Sequence, residues 1–153
     1  MKTIGNKKTK ILCVVLTALC MLFIFCMSAE PASESDKTSG FFVRLFASLL
    51  GVEQTGIFIT LVRKLAHITE YAFLGACACL FAFHFKANTV LRLCLSFMFS
   101  SLYALTDELH QYFVPGRACR FTDICIDSFG AILGIMLIFA IIYAIHKIKE
   151  KKL

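Results

Sequence analysis

Long apolar runs constrain this chain more than any other feature. Residues 11–27, 65–85, 90–105 and 124–144 carry few charges, and roughly 17–25 such residues cross a bilayer core as a helix. The third run continues as helix into a polar stretch. With 59% of its residues apolar, mean hydropathy of +0.79, sixteen Phe and no Trp, the chain is too apolar for a soluble domain. Its 153 residues leave room for one domain. The expected fold is an all-α integral membrane protein of about four transmembrane helices with a short interfacial or re-entrant helix.

A net charge of +6 suggests nucleic acid, but the placement of the charge argues otherwise. Ten of the sixteen Lys and Arg fall on residues 2–10, on Lys86 with Arg92, and on residues 147–152. Four spans would leave these segments on one side, as the positive-inside rule requires. Both termini are then cytoplasmic, residues 28–64 and 106–123 are outside, and no nucleic-acid partner is expected. The eight cysteines do not form a disulfide framework: seven lie in or beside apolar runs, where Cys behaves as a small hydrophobe. Cys119 stands in a polar loop, and a bridge from it to Cys125 is the one conceivable pairing.

Residues 1–10 form a basic head, with the first span at 11–27. The basic flank and short apolar core also describe a signal peptide. A retained helix is preferred because Met27-Ser28-Ala29 is a poor cleavage site. Residues 28–40, rich in Ser and Glu, read as a solvated linker with nothing to bury. Residues 41–50 form an amphipathic helix too short to span. Val114-Pro115-Gly116 breaks the third span in a type II turn. Asn88 or Thr89 would cap that span's start. The core is expected at 65–146, with a basic tail at 147–153.

The polar residues concentrate beside the spans. Arg63, Lys64, His67, Glu70 and Tyr71 share an arc of about 120° on a helical wheel. Tyr103, Asp107, Glu108, His110 and Gln111 cover about 160° of the next helix. Asp123 and Asp127 share a face with Gly130 and Gly134, whose spacing lets another helix approach closely. Charge is costly near a bilayer core, so such a cluster is a candidate site. Simpler roles stand beside it: Asp123 as a helix cap, Glu70 paired with Arg63 or Lys64 on its own surface, and Asp107–Gln111 as a wet helix end. In the functional reading, Lys64 and Arg117 hold phosphate or carboxylate. Asp107, Glu108, Asp123 and Asp127 orient those cations or take a cation themselves. His67 and Glu108 are the candidate proton-transfer pair. No nucleophile sits in a recognisable elbow; His67 with Glu70 and an Asp from another helix is one way to hold zinc, but the spacing is not diagnostic, and no cofactor is expected.

These residues form a pattern. Arg63-Lys64-x-x-His67-x-x-Glu70-Tyr71-x-x-Leu74-Gly75 resembles the first signature of VanZ-like membrane proteins. Asp107-Glu108-x-x-Gln111-x-Phe113-x-Pro115-Gly116-Arg117 and then Asp123-x-x-x-Asp127-x-x-Gly130-x-x-x-Gly134 resemble the second. The resemblance covers residues 62–134, with Ala118-Cys119-Arg120 as a departure. It implies a cell-envelope protein, and the family's founding member is associated with low-level teicoplanin resistance. The leading expectation is a non-enzymatic protein in the bilayer that binds a lipid or cell-wall precursor head group at its outer face. Its rivals are a membrane-embedded enzyme acting on such a lipid or precursor and a structural partner in an envelope complex.

Overall fold

Five helices account for nearly all of the computed structural model, which describes residues 6–151 apart from the side chains of Asp36 and Thr38. Lys2 of the basic head and Lys152 of the tail lie outside the described residues. Helix α1 spans Lys7–Ser28, α2 Ala32–Leu50, α3 Gly56–Ala82, α4 Thr89–Gln111 and α5 Phe121–Glu150. No strand occurs among the described residues. Helices α1, α3, α4 and α5 are each long and apolar enough to cross a membrane.

Local signals account for several helix ends. Asn6 and Thr9 form a reciprocal capping box at the start of α1. The Thr55 side chain accepts from the Phe58 N–H at the start of α3. Asn88 accepts from the Leu91 N–H at 2.7 Å to open α4. Gly51 ends α2 in the left-handed conformation, with φ of 66°.

Helix α1 starts inside the expected basic head and α5 runs from Phe121 to Glu150, into the expected basic tail, and two further boundaries differ more from the sequence expectation. Helix α2 begins at Ala32, so most of the expected 28–40 linker is helical. Pro31 precedes it, Glu34 sits in the first turn where the helix dipole favours an acid, and the Ala32 N–H donates to the Pro115 carbonyl at 3.2 Å. That last partner is remote in sequence. Helix α3 begins at Gly56 rather than near residue 65, because Thr55 supplies a cap. At 1.5 Å per residue, α3 and α5 run to about 40 and 45 Å, longer than a hydrocarbon core of about 30 Å. They must tilt or project beyond it.

Helix α3 is the hub, packing against α1, α2, α4 and α5. Helices α1 and α4 run one way through the bundle, and α3 and α5 run the other. Thr9 meets His84 at one end, 3.1 Å apart, and Ser28 meets Gln111 at the opposite end. Ile24, Tyr71, Leu74 and Ala104 pack together in one core cluster, and Cys79, Phe83 and Ile135 in a second. Elsewhere the helices turn apolar side chains outward, among them Leu12, Phe23, Leu102 and Leu137. Apolar exposure on this scale is foreign to a soluble monomer and suits lipid. Among its described side chains, helix α2 buries only Val43 and Ala47 and leaves Phe41, Phe42, Leu45 and Leu49 exposed, the pattern of an interfacial helix. All eight cysteines are free, Cys119 and Cys125 included.

The closest approach in the bundle is between α3 and α5. A Cβ on Gly130 would strike the Ile68 backbone, one on Gly134 the Ala72 carbonyl, and one on Gly75 the Ala131 carbonyl. Small residues on both helices let the two backbones touch. Gly134→Ala should therefore destabilise the protein by roughly 1–3 kcal/mol, the usual range for overpacking. Gly56→Ala, which would meet open space, should be neutral or slightly stabilising. Thermal unfolding of both variants in the same detergent checks this; equal midpoints would refute the close-contact account.

Candidate functional site

The contact between α3 and α5 determines where the polar residues fall. Ile68 touches Gly130, so His67 beside it faces Asp127, one turn before Gly130. His67 Nδ1 and Asp127 Oδ1 are 3.3 Å apart. The Asp127 side chain is fully buried, while that of His67 is 29% exposed. Helix α4 adds Asp107, Glu108 and Gln111, all buried. Tyr71, buried on α3, is an electrostatic neighbour of Asp107 and Asp127.

Each of these groups is tied to another segment. Gln111 Nε2 donates to Asp107 Oδ2 and to Ser28 Oγ, both at 3.2 Å, which fastens α4 to the end of α1. Glu108 Oε2 accepts from the Arg120 N–H at 2.8 Å. Arg120 is the N-cap of α5 and its own side chain makes no capping bond, so Glu108 takes the part that an acid three residues on plays in a capping box. The turn between α4 and α5 is closed by the Arg117 N–H donating to the Val114 carbonyl at 3.1 Å, with Gly116 at φ of 76°. That is the geometry of a type II turn, in which the third position needs positive φ.

Arg117 and Lys64 have different surroundings. Arg117 Nε donates to the Glu30 carbonyl at 3.2 Å and Nη2 to the Met27 carbonyl at 3.3 Å. The guanidinium thus ties down the last turn of α1 and the link that follows it, where the Met27 carbonyl otherwise accepts only from the backbone, the Glu30 N–H at 3.4 Å among them. Lys64 is exposed beside Gly56, Ile57 and Thr60 and forms no ion pair among the described residues. Asp123 is half-buried in the first turn of α5, where it favours the helix dipole. Glu70 lies at the margin, an electrostatic neighbour of His67, Asp107 and Arg117.

The interior that results is rich in acceptors. Asp107 Oδ1, Glu108 Oε1 and Asp127 Oδ2 are buried without a well-formed hydrogen bond among the described residues, while Asp127 Oδ1 lies 3.3 Å from His67 Nδ1 and the buried Tyr71 hydroxyl neighbours Asp107. Buried polar atoms ordinarily have partners, and an exception calls for a role. Donors such as hydroxyl, amide N–H or ammonium groups would fit these oxygens. No group of three His, Cys, Asp or Glu gathers as a metal would require among the described residues.

Ser28 is the site residue that sequence reasoning missed; it reads as part of a linker. Nothing local marks it, because its partner Gln111 is 83 positions away. His110, whose ring lies 4.6 Å from that of Phe25, turns toward α1.

Four apolar helices around one acid-rich, partly buried end define a polytopic helical membrane protein with a polar site at one pole. The chain belongs to the VanZ/LLP1 family, whose model matches residues 13–143. No curated protein and no solved structure matches it.

Arg117→Ala should loosen the corner between α1 and α2. Hydrogen bonds to a charged group contribute about 1.5–3 kcal/mol, so amide exchange at Ala32 and its neighbours should accelerate by roughly tenfold or more. Unchanged exchange would remove Arg117 from this structural role.

Proposed function

We propose that this protein resides in the cell membrane with both termini in the cytoplasm. Its acid-rich pole then faces outward and binds the head group of an envelope lipid or cell-wall precursor. The orientation rests on the lysines of α1, the α3–α4 connection and the end of α5, which gather at the opposite pole. The observation that carries the binding reading is the crowding of buried carboxylates on Asp107, Glu108 and Asp127, whose oxygens outnumber the well-formed hydrogen bonds around them. A ligand reaching them offers donors, such as sugar hydroxyls, amide N–H groups or an ammonium. Gln111, Tyr71 and His67 border the same space and would orient it. Occupying or reshaping precursor head groups outside the membrane would reduce their capture by a lipoglycopeptide, which links this site to the teicoplanin phenotype associated with the family's founding member.

A susceptible Gram-positive host expressing the wild type should bind less labelled teicoplanin and tolerate more of it than the empty vector. Glu108→Gln and Asp127→Asn, at matched membrane levels, should each weaken the effect by roughly tenfold or less, since each removes part of one polar interaction (about 1 kcal/mol). If wild type and empty vector behave alike, the resistance reading fails for this chain.

The His67–Asp127 pair supports a second reading. A histidine backed by a fully buried carboxylate and itself partly exposed is arranged as a general base. In an enzyme that modifies the same lipid or precursor, Asp127→Asn would not act gradually. It should cut turnover by roughly 10²-fold or more, read by mass spectrometry of extracted envelope lipids. A graded loss with unaltered lipids leaves the binding reading in place.

A further inference from the structure

At the pole opposite the acids, a cavity of about 430 Å³ lies between α1, the end of α3, α4 and the connection from α3 to α4. Val14, Ala18 and Met21 form one wall, and Phe81, Leu95 and Phe99 face them. The three α1 positions lie on one helix face, so the groove runs about 10 Å along that helix. Its lining is almost wholly apolar except at the basic end, where Arg92 closes it.

That end is positively charged by construction. Arg92 is only 3% exposed, donates from Nη2 to the Phe85 carbonyl at 2.8 Å and packs over the Phe83 ring at 4.9 Å. Lys10 Nζ is held 4.3 Å from the centre of the Phe85 ring, itself a lining residue. Lys86 lies between the lining residues Phe85 and Ala87 and is exposed. Neither α1 nor residues 78–99 contain an Asp or Glu, so the rim that Lys10 and Lys86 form carries no acid of its own. The N-terminus of α4 adds its dipole with the same sign.

We propose that this groove binds an anionic phospholipid, with one acyl chain between α1 and α4 and the phosphate at the rim lysines Lys10 and Lys86, above the charge of the buried Arg92. An apolar slot ending in fixed positive charge, set between transmembrane helices at the basic side, is the arrangement that selects anionic head groups. A zwitterionic lipid gains the acyl contacts but little from the charge. This site is separate from the carboxylate pole and does not depend on what binds there.

Native mass spectrometry of the purified full chain in detergent, titrated with dioleoylphosphatidylglycerol or dioleoylphosphatidylcholine, tests it. The wild type should bind the phosphatidylglycerol roughly tenfold more tightly, as two lysine contacts at a membrane surface would provide. Lys10→Gln with Lys86→Gln, both at the rim, should remove most of that preference without unfolding the protein. Ala18→Phe, which fills the slot, should lose both lipids. Equal affinity of the wild type for the two lipids overturns the proposal, as does a preference that survives the double substitution or undiminished binding to a folded Ala18→Phe variant. A dimer that excludes both lipids overturns it too, because a second copy would then occupy the groove.

Discussion

The backbone contact between α3 and α5 is the constraint on which the rest of the molecule depends. Lipid tails are as apolar as the helices, so close packing rather than hydrophobic burial must hold spans together. Gly75, Gly130 and Gly134 make that packing possible by removing the side chains that would keep the two helices apart. The same contact brings Asp127 beside His67 and puts both within the field of Asp107. Packing and chemistry are one geometric object here, and a bulkier residue in the stripe would disturb both together.

Around this pair, the acidic pole is held by polar groups that each reach a different segment. Arg117 binds the carbonyls of Met27 and Glu30, Gln111 reaches Ser28, and Glu108 holds the N–H that opens α5. These bonds tie α1, α4 and α5 into a frame for the remaining carboxylate oxygens. The opposite pole inverts the chemistry, with buried or ring-stacked cations above an apolar slot. A helical bundle with acids concentrated at one end and lysines at the other is suited to meeting different partners on its two sides. That division gives physical content to a membrane orientation set by charge.

Much of the fold was legible in the sequence because its determinants are local. Four apolar runs mark the four long helices, Asn88 opens α4, and Pro115-Gly116 forms the turn between α4 and α5. The glycines four apart on α5 lie where the closest helix contact occurs. That Asp107, Glu108 and Gln111 share one face of α4 also follows from spacing, since helical periodicity fixes which side chains lie together on a helix. The start of α2 was not legible, because a Ser- and Glu-rich segment has little to bury. Its first N–H finds a carbonyl more than eighty residues away, on Pro115.

The sequence by itself determined that this chain is a multi-span helical protein with its acids and bases at the ends of the spans, because hydropathy and charge act through the bilayer whatever the helices touch. Only the tertiary structure decided which charges meet. It turned Arg117 toward the backbone of α1, left Lys64 outside and buried Glu108 against the start of α5. It also formed a groove that no single segment encodes. Those outcomes depend on which helix faces which, and that was settled by the few positions where backbones can touch.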